Sequence, residues 1–230
     1  MNGTGSIGSN CLLRYLQAFM AIGLMQTREK AHLMTGSEIE RTLVRLAHEI
    51  VEKTERVEDL ALVGIRRRGV HLAERLARKV KEIASITVPV GTLDIQLYRD
   101  DLSRDGAAKA DDQPAVRPSQ IAFPISDRDV ILVDDVLFTG RSVRAAMEAL
   151  FDHGRPRRVR LCALIDRGHR ELPMEAAFVG KRVPTDARDV IEVKLREEDP
   201  VEKVLLLEPA TEENDSSRQA GAAKRSRVKG

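Results

Sequence analysis

The sequence predicts an α/β domain with a mostly parallel sheet flanked by helices, and two observations carry that reading. Val130-Ile131-Leu132-Val133 is a branched apolar run with the length and composition of a strand buried on both faces. Residues 60–65, LALVGI, form a second such run. Each passes through a short loop into a helix-patterned segment, 143–151 after the first and 70–84 after the second.

The stretch VILVDDVLFTGRS at 130–142 organises the rest of the chain. Its strand ends in two adjacent carboxylates, Asp134 and Asp135, and Val136 leads into the loop Leu137-Phe138-Thr139-Gly140-Arg141-Ser142. Gly140 lets the backbone approach a phosphate closely, and Thr139 and Ser142 add hydroxyl donors. The following helix N-terminus supplies free N–H groups and the positive end of its dipole. The carboxylates can accept from ribose hydroxyls and hold Mg²⁺ directly or through water. These are the parts of a site for a phosphorylated sugar, although two acids after a strand fit a plain Asp-rich turn equally well.

VILVDDVLFTGRS resembles the phosphoribosyl-pyrophosphate (PRPP) motif of the type I phosphoribosyltransferases. The flanking text is similar to the PyrR family of pyrimidine-operon regulators and uracil phosphoribosyltransferases. The similarity runs over roughly 37–207 and includes RLAHEI at 45–50, GIRRRG at 64–69, LDIQLYRDDL at 93–102, DRGHRELP at 166–173 and FVGKRVPT at 178–185. Several separate segments in family order are far more specific than the central motif alone. The resemblance implies a type I phosphoribosyltransferase fold with a small hood, and the conversion of uracil and PRPP to UMP and pyrophosphate with Mg²⁺. It also implies a regulator that binds pyrimidine-operon leader mRNA in response to UMP and controls transcription by attenuation. The expected assembly is a homodimer or higher homo-oligomer.

With 230 residues, one domain with ragged ends is expected, covering 35–210 between an N-terminal extension at 1–34 and a disordered tail at 211–230. A hydrophobic content of 42% suffices for a core, and 3% aromatic content makes that core aliphatic. The net charge of +2 leaves any nucleic-acid surface to local clustering. Cys11 and Cys162, far apart and without C-x-x-C or histidine partners, suggest a reducing compartment, the cytoplasm, and neither a disulfide framework nor a cysteine metal site.

In the extension, Gly3-Thr4-Gly5-Ser6-Ile7-Gly8 matches G-x-G-x-x-G, but no strand precedes it, so it is rejected as a dinucleotide site. Residues 11–25 are apolar but too short to span a membrane and are interrupted by Arg14. No signal-peptide pattern is present, and the extension reads as non-essential. The first helix is predicted from a Ser37-x-x-Glu40 capping box, with Ile39, Leu43, Leu46, Ala47 and Ile50 inward and Arg41, Arg45, His48 and Glu52 on the opposite side. An ordinary solvated face would look the same. The resemblance places RNA contacts on this helix, with Arg45 and His48 at matching positions; Arg41, on the same stripe, and Lys53 are grouped with them, although Val44 and Lys53 stand where the family commonly has threonine and arginine.

The basic loop 64–69, between strand and helix, suits a pyrophosphate cradle. The resemblance makes Arg67 and Arg68 PRPP contacts, with Arg68 catalytic beside Asp134 and Asp135. Residues 86–90 and 93–98 read as extended, and 103–120 is a polar insert without periodicity. There the family has a mobile hood over PRPP, which implicates Tyr98, Arg99 and Asp100 in closure and water exclusion. Residues 159–165 form another strand, followed by Asp166-Arg167-Gly168-His169-Arg170. By resemblance Arg167 and Val179 are nucleotide contacts, while His169, Arg170 and Lys181 extend the RNA-facing patch. Strands at 190–195 and 204–207 are expected to finish the sheet. Rival readings are a phosphoribosyltransferase without RNA function, which the substitutions at Val44 and Lys53 favour, and an RNA-binding regulator with a vestigial site. A phosphate-loop ATPase is disfavoured because no G-x-x-x-x-G-K-[ST] accompanies the acidic pair.

Overall fold

The computed structural model describes residues 27–98 and 119–210. In chain order the elements are β1 (Thr27–Thr35), α1 (Gly36–Glu52), a 3-10 turn (Val57–Asp59), β2 (Leu60–Ile65), α2 (Arg68–Ala84), β3 (Val90–Leu93), a second 3-10 turn (Gln96–Tyr98), β4 (Asp129–Leu137), α3 (Arg141–Phe151), β5 (Arg158–Asp166), β6 (Phe178–Arg182), β7 (Val190–Lys194) and β8 (Lys203–Pro209). The chain divides into two compact units. The described residues of the smaller are 27–32, 188–192 and 205–210, and the larger holds 33–187 and 193–204.

The larger unit is built on a five-stranded sheet of order β3-β2-β4-β5-β6, and each neighbouring pair is parallel. All six residues of β2 and the first six of β4 are buried, as strands covered on both faces must be. Alternation sorts their side chains. Ala61, Val63, Val130, Leu132 and Ala163 meet Val143, Ala146, Ala149 and Leu150 of α3 on one face. α1 and α2 pack against each other and α2 lies on β2 and β4. Burying each Leu, Ile or Val contributes about 1.5–3 kcal/mol, so this aliphatic core holds the sheet without tryptophan.

α1 buries the five expected residues, Ile39, Leu43, Leu46, Ala47 and Ile50. Its cap differs from the expected Ser37-x-x-Glu40. Thr35 is the N-cap, its hydroxyl accepts from Glu38 N, and the Glu38 carboxylate accepts from Thr35 N. That cap holds the Glu38 carboxyl below the usual carboxylate range, chiefly through the hydrogen bond from the Thr35 backbone. Glu40 is thereby free to pair with Arg75 of α2.

Four other expectations are corrected. Residues 27–34 of the expected extension form most of β1. The segments at 190–195 and 204–207 do not finish the main sheet, because β7, β8 and β1 form a separate three-stranded sheet of order β1-β8-β7. Of residues 93–98 only Leu93 is strand. Asp94 Oδ1 accepts from Gln96 N, and this Asx turn breaks the strand and starts the 3-10 turn. Of 86–90 only Val90 is strand. In the smaller unit Arg28 pairs with Glu208, and Lys30 pairs with the buried Asp189 at 3.0 Å. Among the described residues no helix is long and apolar enough to cross a membrane.

Candidate active site

Because the five strands are parallel, their C-terminal ends lie at one edge, where open α/β sheets place ligand sites. β2 ends there in Ile65, β3 in Leu93, β4 in Leu137 and β5 in Asp166. Two helices begin at this edge, α2 at Arg68 and α3 at Arg141, so two sets of free backbone N–H groups are presented to it.

The acidic pair sits within β4, not beyond it. Asp134 is 8% exposed and Asp135 half-buried. Asp134 Oδ1 accepts from Asp135 N (3.0 Å) and Asp135 Oδ1 accepts from Val136 N (2.9 Å). The loop after the strand is short, Phe138-Thr139-Gly140, because Arg141 and Ser142 already belong to the first turn of α3. Gly140 is the N-cap at φ +92°, a left-handed conformation that β-carbon-bearing residues rarely adopt, and Met174 lies against it. Thr139 Oγ1 accepts from Arg141 N at 3.3 Å, and Arg141 itself pairs with Glu171 at 2.7 Å.

The segment after β5 braces that loop. The Thr139 carbonyl accepts from Glu171 N and Leu172 N, and the Leu137 carbonyl accepts from Arg167 N. Arg170 donates to Phe138 O (2.7 Å), Met174 O (2.8 Å), Gly168 O (3.0 Å) and Asp166 Oδ1 (2.6 Å). Buried Arg167 stacks its guanidinium 4.1 Å from the Phe138 ring centroid and donates to Thr185 Oγ1 and Asp186 O. His169, at φ +56°, meets Phe138 edge-on and bonds Thr185 O at 2.7 Å.

The basic loop lies next door, because β2 pairs with β4 and Gly64 is opposite Val133. The Arg66–Arg67 peptide is cis. Arg66 pairs with Asp94 at 3.7 Å, Arg68 with Asp199 at 3.3 Å, and Arg67, 76% exposed, with Glu198 at 3.9 Å. Acidic pair, Thr-Gly loop and basic loop therefore share one edge, with two helix N-termini among them.

A family model described as "Phosphoribosyl transferase domain" matches residues 32–198. The chain is 53% identical over 183 residues to the Bifunctional protein PyrR of Pelotomaculum thermopropionicum, covering 80% of this chain and 98% of the relative. It is 51% identical to the protein of that name from Deinococcus radiodurans over 80% of this chain and 97% of the relative. The chain belongs to the PyrR family.

As a PyrR protein it is a phosphoribosyltransferase of the family that also regulates pyrimidine operons. The fold agrees with solved structures. A hypoxanthine phosphoribosyltransferase of Trypanosoma cruzi superposes with a TM-score of 0.58 at 16% identity, over 79% of this chain and 98% of that chain. A hypoxanthine-guanine phosphoribosyltransferase of Bacillus anthracis gives 0.57 at 17% identity, over 79% and 99%.

The residues expected on the RNA-facing side of this PyrR chain divide. Arg41, Arg45 and Lys181 line one open depression of about 310 Å³ with Met34, Glu38, Thr42 and Gly180. Within it Arg45 donates to Val179 O (2.9 Å) and Gly180 O (2.7 Å), and Lys181 donates to Leu33 O (2.8 Å). His48 is exposed on the same helix, and Lys53 caps its far end, 5.5 Å from the Phe178 ring centroid. Arg170 does not reach that face in this conformation, because its guanidinium is engaged by the carbonyls and the carboxylate that brace the 137–140 loop. Tyr98 packs against the core and donates its hydroxyl to Asp152. Arg99 and Asp100 lie outside the described residues. Sequence reasoning missed Asp94 and the acidic turn at 197–199. The one signal for the latter was the run Glu197-Glu198-Asp199 itself.

Proposed function

We propose that the protein converts uracil and PRPP to UMP and pyrophosphate, and that in its UMP-bound form it binds pyrimidine-operon leader RNA. The observation that carries the catalytic half is the meeting of Asp134, Asp135, the 136–142 loop and Arg68 at one sheet edge between two helix N-termini. The "Bifunctional protein PyrR" name of relatives about half identical supports the regulatory half.

On this reading the N–H groups at the start of α3, with Thr139 and Ser142, hold the 5′-phosphate. Asp134 and Asp135 accept from the ribose hydroxyls. Their oxygens are the hard donors that Mg²⁺ prefers. Among the described residues no cluster of three or more His, Cys, Asp or Glu could hold a metal, so PRPP and water would complete the shell. Mg²⁺, when bound, supplies counter-charge to the diphosphate. The C1′–O bond breaks with its electron pair leaving on the diphosphate, uracil N1 bonds to C1′, and the N1 proton is released. Arg68 meets the charge growing on the leaving group, and such a donor is worth ~3 kcal/mol. Arg167, stacked on Phe138, and Val179 flank the base. A closing hood that includes Tyr98, Arg99 and Asp100 would exclude competing water.

The deciding experiment offers labelled uracil and labelled hypoxanthine in turn with PRPP and Mg²⁺. UMP formation from uracil, with no IMP from hypoxanthine, is expected. Turnover of hypoxanthine in preference to uracil would overturn the base assignment.

A further inference from the structure

One stripe of α2 is zipped to the turn between β7 and β8. Arg68, His71 and Arg75 stand at i, i+3 and i+7, on one helix face. In reverse order they meet Asp199 (3.3 Å), Glu198 (3.1 Å) and Glu197 (2.6 Å). The two ends of the zipper differ in kind. Arg75, 3% exposed, is held fork to fork by Glu197, Nε to Oε1 at 2.8 Å and Nη2 to Oε2 at 2.6 Å, and also meets Glu202 and Glu40. That is an anchor. Arg68 gives Asp199 a single nitrogen, at 3.3 and 3.5 Å from its two oxygens, and its buried Nε has no hydrogen-bond partner among the described residues.

Asp199 is itself rigid. Its Oδ2 accepts from Leu195 N (3.0 Å), and its own N–H donates to Leu195 O (2.7 Å). A fixed carboxylate on one nitrogen sets where a guanidinium sits while leaving other N–H groups for an anion.

We propose that Asp199 is a positioning residue for phosphoribosyl transfer: it orients Arg68 toward the diphosphate of PRPP, and the Arg75 anchor holds its turn in place. This rests on the reading of Arg68 as the diphosphate group, and the test separates the two. Asp199→Asn, Arg68→Ala and the double variant are made in the full chain, and KM is measured for PRPP and uracil separately beside the thermal midpoint. Asp199→Asn keeps an oxygen for Leu195 N, so the fold is retained. Loss of one charge-assisted hydrogen bond raises KM for PRPP about tenfold, with KM for uracil and the midpoint unchanged.

In the Arg68→Ala background the Asp199→Asn change has no further effect on PRPP. Wild-type PRPP kinetics in Arg68→Ala would overturn the role of Arg68. An impaired Arg68→Ala with a normal Asp199→Asn, or additive effects in the double variant, would overturn the positioning role alone. If Asp199→Asn does not fold, Asp199→Glu replaces it. That change keeps the charge but moves the carboxylate by one methylene, so KM for PRPP again rises, and unchanged kinetics would sink the proposal.

Discussion

A Cβ added to Gly69 would overlap the carbonyl oxygen of Val133 and lie 3.3 Å from Cα of Asp134. The first turn of α2 thus rests directly on the backbone of β4 where the acidic pair begins. Both partners at the closest point are backbone, so neither can rotate away.

Gly69→Ala therefore pushes the helix start off the strand. Overpacking of this kind costs about 1–3 kcal/mol. It also shifts Arg68 relative to Asp134, so KM for PRPP rises along with a drop in the urea midpoint. A variant with wild-type stability and PRPP kinetics would mean that α2 does not depend on this contact.

Asp134→Asn with Asp135→Asn tests the acidic pair. Both replacements keep shape and remove charge, and the backbone bonds from Asp135 N and Val136 N still find an oxygen. UMP synthesis falls at least about a hundredfold, the scale of losing preorganised charge at a reacting centre, while circular dichroism and the thermal midpoint stay near wild type. Turnover at the wild-type rate in a folded double variant would remove the pair from the site.

Much of this site was legible because it depends on local chemistry. Val130 to Val133 could only be a strand covered on both faces, and the acids, Thr139 and Gly140 that follow it declare a polar turn into a helix. The five inward residues of α1 followed from their spacing alone. What escaped depends on long-range pairing. Thr35 and Ser37 both offer a hydroxyl with a glutamate three residues on, and the choice between them turns on Glu40 being wanted by Arg75, a residue on another helix. Nothing in 190–195 or 204–207 says which sheet receives them. Arg75 itself reads as a surface position, and it is buried only because three carboxylates surround it.

That cluster gives the pH prediction. Burial alone would disfavour the Arg75 charge, but hydrogen bonds to Glu197 and Glu202 outweigh it and raise its pKa further. The same contact with Arg75 holds the Glu197 carboxyl below its usual range. A depressed carboxylate stabilises the fold fully above its unfolded pKa, and the contribution disappears as pH falls through the folded value. Arg75→Met removes the arginine that holds Glu197 and one of the two arginines on Glu202, and costs about 3–5 kcal/mol at neutral pH. The loss shrinks as pH falls from the ordinary carboxylate range through the lower folded value of Glu197. Urea unfolding of both proteins across that range measures it, and a destabilisation constant with pH would contradict the charge pairing.

The regulatory reading is tested on α1, where the structure separates two kinds of arginine. Arg41 is exposed on the depression shared with Lys181, whereas Arg45 is exposed but already donates to the carbonyls of Val179 and Gly180. Arg41→Ala removes charge and little structure. Arg45→Ala also loosens the link from α1 to β6. With a net charge of +2 the protein has little general attraction for a polyanion, so binding must depend on local clusters. Removing one phosphate-binding cation lowers the magnitude of the salt slope by roughly 0.7 to 0.9. Arg41→Ala therefore weakens leader-RNA binding and flattens its salt dependence, and His48→Ala weakens binding, both at unchanged uracil turnover. Arg45→Ala adds a lower thermal midpoint to the same weakening. Arg170→Ala behaves differently: its guanidinium braces the 137–140 loop, so it raises KM for PRPP and leaves the salt slope alone. Titrating labelled leader RNA across salt, with and without UMP, measures all four variants. Wild-type RNA affinity in Arg41→Ala, Arg45→Ala and His48→Ala together would leave the enzyme standing without this RNA face.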